Sequence, residues 1–284
     1  MASPGEDDKM IMLESTIMLR ALIGCILSGL LASIIGVFVV KMKISAIGYC
    51  MSHSAFAGAA LGVALALDPL LTAFMFASLT ALLIGPFAEK ARLHADIITG
   101  ILFPLNMALA FIFMTLSPEI GLKSDIGSIL WGSIFAITNS NIVYLVSLCS
   151  VSFALIFLFW KELFAIMFNR KMAEADGINT KPLVFFIIFL AGMVITLSLK
   201  LVGGLLIFAL IFNPAASAFQ FSHSMRKIMI LSPVIGACSC VGGLYTSLLF
   251  DLPVGSCIAL ISTLIFAISV IISPKRRRGG GFLG

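Results

Sequence analysis

Charged side chains are scarce in this sequence. Asp, Glu, Lys and Arg make up 11% of its 284 residues, against 61% hydrophobic ones. A soluble domain carries about 25% charged residues, so a surface that faces water on all sides is excluded. Alternating apolar and polar stretches of about ten residues, the mark of a membrane β-barrel, are missing too. Cysteine is sparse and unpatterned. Cys25, Cys50, Cys149, Cys238, Cys240 and Cys257 lie within apolar segments, with neither zinc-finger nor disulfide-framework spacing. They read as small helix-packing residues. Enzyme signatures are also lacking: no H-E-x-x-H, no G-x-S-x-G, and no phosphate loop of the G-x-x-x-x-G-K type. The apolar segments carry no chain of carboxylates such as a proton- or sodium-coupled carrier often uses, which argues against a self-powered transporter.

What the sequence has instead is apolar blocks of the length that crosses a bilayer, roughly 20 residues each. Backbone groups in lipid must be satisfied internally, so these blocks predict helices. The fold class is all-α, a polytopic helical membrane protein with eight or nine transmembrane helices. Nine candidate spans fall at about 16–40, 44–67, 70–88, 97–117, 139–160, 182–199, 201–219, 228–250 and 254–273. Only Lys200-Leu201 separates the sixth from the seventh, which leaves eight passes with one broken element as the alternative. The apolar segment 125–137 is too short to span and reads as an interfacial or re-entrant helix. Residues 1–11 read as an N-terminal tail, 12–274 as the transmembrane domain and 275–284 as a basic C-terminal tail. Glu6-Asp7-Asp8 and a long first apolar block argue against a cleavable signal peptide, and Gly279 to Gly284 resembles an expression scar.

The net charge of +5 sits in short clusters between apolar blocks, a topology signal rather than a nucleic-acid signal. With Lys275-Arg276-Arg277-Arg278 placed in the cytoplasm and nine spans alternating, only Lys9, Arg20, Lys123 and Lys200 fall outside or near the outer edge. The outer turns then hold Asp68, Glu119, Asp125 and Asp251. These could attract a cation or simply serve turn chemistry. The longest cytoplasmic connection runs from Lys161 to Lys181. Within it Asn169 can cap a short helix and Gly177 can end it in the left-handed conformation. The element at about 165–178 is either a solvated loop or a docking helix for a cytoplasmic partner.

One intramembrane polar group stands out. His53 is ten residues past Lys43, about 15 Å deep at about 1.5 Å per residue, near the middle of a core about 30 Å thick. Tyr49 and Cys50 precede it by four and three residues and share its helical face. Imidazole and thiolate suit zinc and similar ions, so His53, Cys50 and Tyr49 are candidate ligands of a pathway or gate. A hydrogen bond to a neighbouring helix is the other use of a buried histidine. Gly58 and Gly62 form a G-x-x-x-G packing face. Gly203-Gly204 leads to Pro214, which removes one backbone bond inside a span, as a kink or a cavity lining. His94 and His223 read as solvated loop residues.

Four motifs, in order over most of residues 12–273, resemble the permease subunits of ATP-binding-cassette importers for zinc, manganese and iron. The family's G-D-x-L-S-H-A-x-x-x-G-x-x-L-G is here Gly48-Tyr49-Cys50-Met51-Ser52-His53-Ser54, with Gly58 and Leu61-Gly62. Its cytoplasmic D-x-x-x-A-x-x-x-G element is matched by Asn169, Ala173 and Gly177-Ile178, with Asn for Asp. Its V-G-x-L-L segment leading to P-A-A-x-A is Val202-Gly203-Gly204-Leu205-Leu206, then Pro214-Ala215-Ala216-Ser217-Ala218. Its closing D-x-P-x-G is Asp251-Leu252-Pro253-Val254-Gly255.

The resemblance implies a homodimer of permeases in a prokaryotic cytoplasmic membrane, embedded in lipid, with the C-terminus inside. It implies no bound cofactor, ATP on separate ATPase subunits, and an extracytoplasmic metal-binding protein that delivers the ion. The ATPase would dock through Asn169, Ala173, Glu174, Asp176 and Gly177. The family's Asp and His one turn apart are thought to bind or gate the ion. Here His53 is kept and Tyr49 stands in the Asp position, a phenol where the family has a hard anionic ligand. A chelate permease with the same architecture, a secondary carrier and an intramembrane enzyme using Ser52 and His53 are the competing readings.

Overall fold

The computed structural model describes residues 4–44, 46–116, 138–203 and 207–273. The segment 125–137, predicted as an interfacial or re-entrant helix, and the basic cluster 275–278 lie outside them. Among the described residues there are eleven helices and no strand. The all-α polytopic fold expected from composition is the one observed.

In chain order the helices are α1 (Pro4–Lys41), α2 (Ala46–Ala64), α3 (Pro69–Ala91), α4 (Ala95–Leu116), α5 (Asn139–Leu158), α6 (Trp160–Phe168), α7 (Arg170–Ala175), α8 (Thr180–Val202), α9 (Ile207–Phe221), α10 (Met225–Phe250) and α11 (Val254–Ile272). Seven of them are long and apolar enough to cross a membrane: α1 from Thr16 onward, α3, α4, α5, α8 up to Leu199, α10 and α11. The two other predicted spans are α2, with 19 residues, and α9, with 15.

Helix α1 runs from Pro4, through residues 4–11, into the apolar stretch that begins at Thr16. The break between the sixth and seventh spans falls at Gly203 rather than at Lys200-Leu201. Gly203 caps α8 with φ 92°, a conformation a residue without Cβ adopts freely.

Helix α8 joins the two halves of the bundle. It packs against α2, α3, α1 and α5. Helix α2 is wrapped by α3, α4 and α8, while α1 lies against α10 and α9, and α11 covers α9 and α10. The core runs through Leu31, Ile35 and Phe38 of α1, Ile47, Met51 and Phe56 of α2, and Ile187 and Ile188 of α8. Lipid offers no hydrophobic drive between helices, so close backbone approach does the work. A Cβ on Gly58 would lie 2.5 Å from the Thr72 carbonyl of α3, and one on Gly62 would lie 2.9 Å from Pro69 Cα. Asp68 caps α3 by accepting from the Leu70 N–H at 2.8 Å, the turn chemistry its Asp-Pro sequence suggested. Outward faces stay apolar: Ile101, Leu105 and Ile112 of α4, and Leu260, Leu264 and Ile268 of α11, are exposed.

Candidate functional site

Helix α2 starts after a left-handed residue, Lys43 (φ 58°). Its first N–H, of Ala46, donates to Asp96 Oδ1 at 3.2 Å and so ties α2 to the first turn of α4. Two turns on, the candidate residues part company. His53 is 5% exposed and meets Phe103 of α4 edge-on, with ring centroids 4.7 Å apart. Its Nδ1 is buried and has no hydrogen-bond partner. Cys50 is fully buried, and Asn106 of α4 donates to its Sγ at 3.9 Å.

Tyr49 lies differently. It is 41% exposed and packs against α9, with its ring 4.6 Å from that of Phe208 and 5.8 Å from that of Phe212. Two cavities border it. One, of about 430 Å³, is lined by Tyr49, Phe208, Ala209, Phe212, Asn213 and Thr263. The other, of about 300 Å³, is lined by Ala46, Tyr49, Thr99, Gly100 and Phe103. Neither wall carries a charged side chain. Among the described residues, no three of His, Cys, Asp and Glu come together to hold a metal ion.

The far side of α2 is structural. Ser54 Oγ and Thr80 Oγ1 are 2.6 Å apart, and Gly58 and Gly62 seat α3. Pro214 is buried within α9, which runs on as a helix through it. Just before it, Asn213 donates from Nδ2 to Ser262 Oγ at 3.0 Å and to Thr263 Oγ1 at 2.9 Å on α11. The sequence reading passed over Asn213. Its place immediately before an intrahelical proline was the available signal.

The 165–178 element is two helices meeting at Asn169 rather than one. Asn169 ends α6 and caps α7, accepting from Lys171 N–H at 3.0 Å and Met172 N–H at 3.2 Å. Gly177 closes the turn at φ 82°. Ala173 is buried, whereas Glu174 and Asp176 are exposed. Glu174 accepts from the hydroxyl of Thr180 and from Arg170 Nε at 3.1 Å. These two bonds, with the nearby Arg170 and Lys181 charges, hold its carboxyl below the usual value. Lys181 Nζ pairs with Glu89 of α3 at 2.7 Å. His94 is exposed, as a solvated loop residue would be, and lines a cavity of about 240 Å³ with Arg92, Arg170 and Lys181.

The family described as the ABC 3 transport family matches residues 14–273. This chain belongs to that family. Its members are membrane permeases of ABC transporters, and the chain is a multi-pass, non-catalytic permease of this kind. It is 30% identical over 265 residues to the manganese transport system membrane protein MntC of Listeria monocytogenes, covering 93% of this chain and 94% of that one. It is 27% identical over 262 residues to the high-affinity zinc uptake system membrane protein ZnuB of Haemophilus influenzae, covering 92% and 98%. Its fold superimposes on a chain of PsaBC from Streptococcus pneumoniae in complex with Fab with a TM-score of 0.81, at 29% identity, over 92% of this chain and 93% of that one.

Proposed function

We propose that this ABC 3 permease is the membrane-spanning subunit of an ATP-driven importer of a divalent transition-metal ion, manganese or zinc. The observation that carries the reading is His53, placed mid-helix within the bundle with its Nδ1 unpartnered. A buried polar atom left without a hydrogen bond costs about 1–3 kcal/mol, a cost that function explains better than packing does. The named relatives along the full length support the same cargo class.

Among the described residues one chain does not gather three strong ligands, so a second copy or water completes the ion's shell. Two copies then form the pathway, an extracytoplasmic binding protein delivers the ion, and separate ATPase subunits hydrolyse ATP. Each ATPase seats on α7 through the surface of Asn169, Glu174, Asp176 and Gly177, with Ala173 anchoring the helix to the bundle. The C-terminus faces the cytoplasm, in a prokaryotic inner membrane. ATP shifts the population between outward- and inward-open states.

The test is uptake into proteoliposomes that contain this chain with its ATPase, with the binding protein supplied outside. ATP-dependent accumulation of manganese or zinc is expected. Uptake that needs no ATPase would point to a secondary carrier, and no uptake of any free ion by an intact complex would point to a chelate permease.

A further inference from the structure

The hydrogen bonds around Asn213 fix which way its amide faces. Ser262 Oγ donates to the Ala259 carbonyl at 2.9 Å, and Thr263 Oγ1 donates to the same carbonyl at 2.7 Å. A hydroxyl has one proton, so both hydroxyls are spent as donors and can only accept from Asn213. They accept from its Nδ2, which commits both amide hydrogens to α11. The amide is thereby held through its nitrogen, and Oδ1 has no hydrogen-bond partner among the described residues.

Asn213 and Tyr49 both line the 430 Å³ cavity. The other lining side chains are Phe208, Ala209 and Phe212, with Thr263 at the edge. In this uncharged, largely aromatic pocket, Asn213 contributes its amide oxygen and Tyr49 its phenol as neutral oxygen donors without a hydrogen-bond partner among the described residues. A carbonyl oxygen is a hard, neutral ligand of the kind that suits manganese better than softer ions.

We propose that Asn213 Oδ1 and the Tyr49 hydroxyl form an oxygen-donor station for the transported ion, separate from the imidazole of His53. The station rests on the importer reading above. It works without the family's carboxylate: neutral oxygens replace one or two waters of a dication that keeps the rest of its hydration shell. Ser262 and Thr263 are positioning residues, holding the amide through its nitrogen. The backbone adds a second constraint, since Ser217 Oγ donates to the Asn213 carbonyl at 2.7 Å one residue before Pro214.

The experiment compares initial rates of radiolabelled manganese and zinc uptake by the reconstituted complex for wild type, Asn213→Leu and Asn213→Asp. Assembly with the ATPase and nucleotide hydrolysis are measured on the same preparations. Asn213→Leu removes the oxygen and is expected to lower manganese uptake about tenfold, the scale of one polar contact to a charged group. Asn213→Asp puts an anionic oxygen at the same place and is expected to change the manganese-to-zinc ratio roughly threefold or more. Wild-type rates and ratio in both variants would overturn the station while leaving the importer standing. An unchanged ratio in Asn213→Asp, with Asn213→Leu losing assembly and both ions alike, would also overturn it, returning Asn213 to helix packing. Absence of ATP-dependent uptake in the wild type would instead overturn the importer reading, and the station with it.

Discussion

His53 meets Phe103 edge-on across the α2–α4 contact, at 4.7 Å between ring centroids, with its Nδ1 buried and unpartnered. The two facts pull apart what stability and transport should do on substitution. Leucine is apolar and needs no hydrogen bond, so His53→Leu removes a buried unsatisfied nitrogen. The melting temperature of the purified complex is expected to stay level or to rise, by up to about 1 kcal/mol of stability. Uptake is expected to fall at least about tenfold. Unchanged uptake with raised stability would make His53 a packing residue.

Tyr49 separates its aromatic and hydroxyl roles cleanly. Tyr49→Phe keeps the contacts with Phe208 and Phe212 but deletes the oxygen, so stability should hold and the ion rate should drop. Tyr49→Asp restores the carboxylate of the family motif at the cost of that packing, roughly 1 kcal/mol for an aromatic pair. Manganese uptake relative to zinc is expected to rise, because carboxylate oxygen favours the harder ion. A ratio that moves toward zinc would argue that position 49 does not touch the ion.

Gly58 and Gly100 offer a stability contrast inside one bundle. A Cβ at Gly58 would meet the Thr72 carbonyl and Ala73 Cα of α3 at 2.5 and 2.8 Å, whereas one at Gly100 meets nothing within 4 Å. Gly58→Val should therefore push α2 off α3 and cost about 1–3 kcal/mol. Gly100→Ala should be neutral or stabilising by up to about 1 kcal/mol through helix propensity. Thermal unfolding of the two variants in detergent decides this, and equal melting points would contradict the close α2–α3 approach.

Much of this architecture was legible in the sequence because its causes are local. Apolar runs announce helices whatever their neighbours, and Asn169 and Gly177 announce a short helix through their own cap chemistry. What was hidden depends on residues far away in the chain. The break was expected at Lys200-Leu201, where hydropathy dips, but the backbone turns at Gly203, where a positive φ costs least. Tyr49 and His53 were expected on one face, being one turn apart. The flanking helices divide that face, so His53 is covered by α4 and Tyr49 opens toward α9. Asn213 gains its meaning from hydroxyls 49 and 50 residues later, and no local pattern announces them.

Asn169 carries the start of α7. Its side chain accepts two backbone N–H groups, and removing such a cap costs about 1 kcal/mol. Asn169→Ala should speed hydrogen exchange across 170–175 and weaken co-purification of the ATPase, while Asn169→Asp, which keeps the acceptor, should do neither. Loss of exchange protection without any change in ATPase binding would detach α7 from docking.

Glu174 gives the same element a defined response to acid. The Thr180 hydroxyl, then Arg170, bond its carboxylate and hold it below its ordinary value of 4.5. A group whose folded pKa is depressed adds stability that is fully present above the ordinary value and fades as pH falls through the lowered one. Exchange protection of the turn from Ala173 to Thr180, corrected for the intrinsic rate, should therefore stay flat from neutrality down to 4.5 and drop only below it. Glu174→Gln cannot titrate and accepts more weakly, so its protection should start lower and follow no such step. Both carboxylate and guanidinium are exposed, which makes the amplitude small and its position on the pH axis the informative quantity. A wild-type step lying between neutrality and the ordinary carboxylate range would mean that the Thr180 and Arg170 bonds do not hold in solution. The turn would then owe its shape to Gly177 and to the buried Ala173 alone.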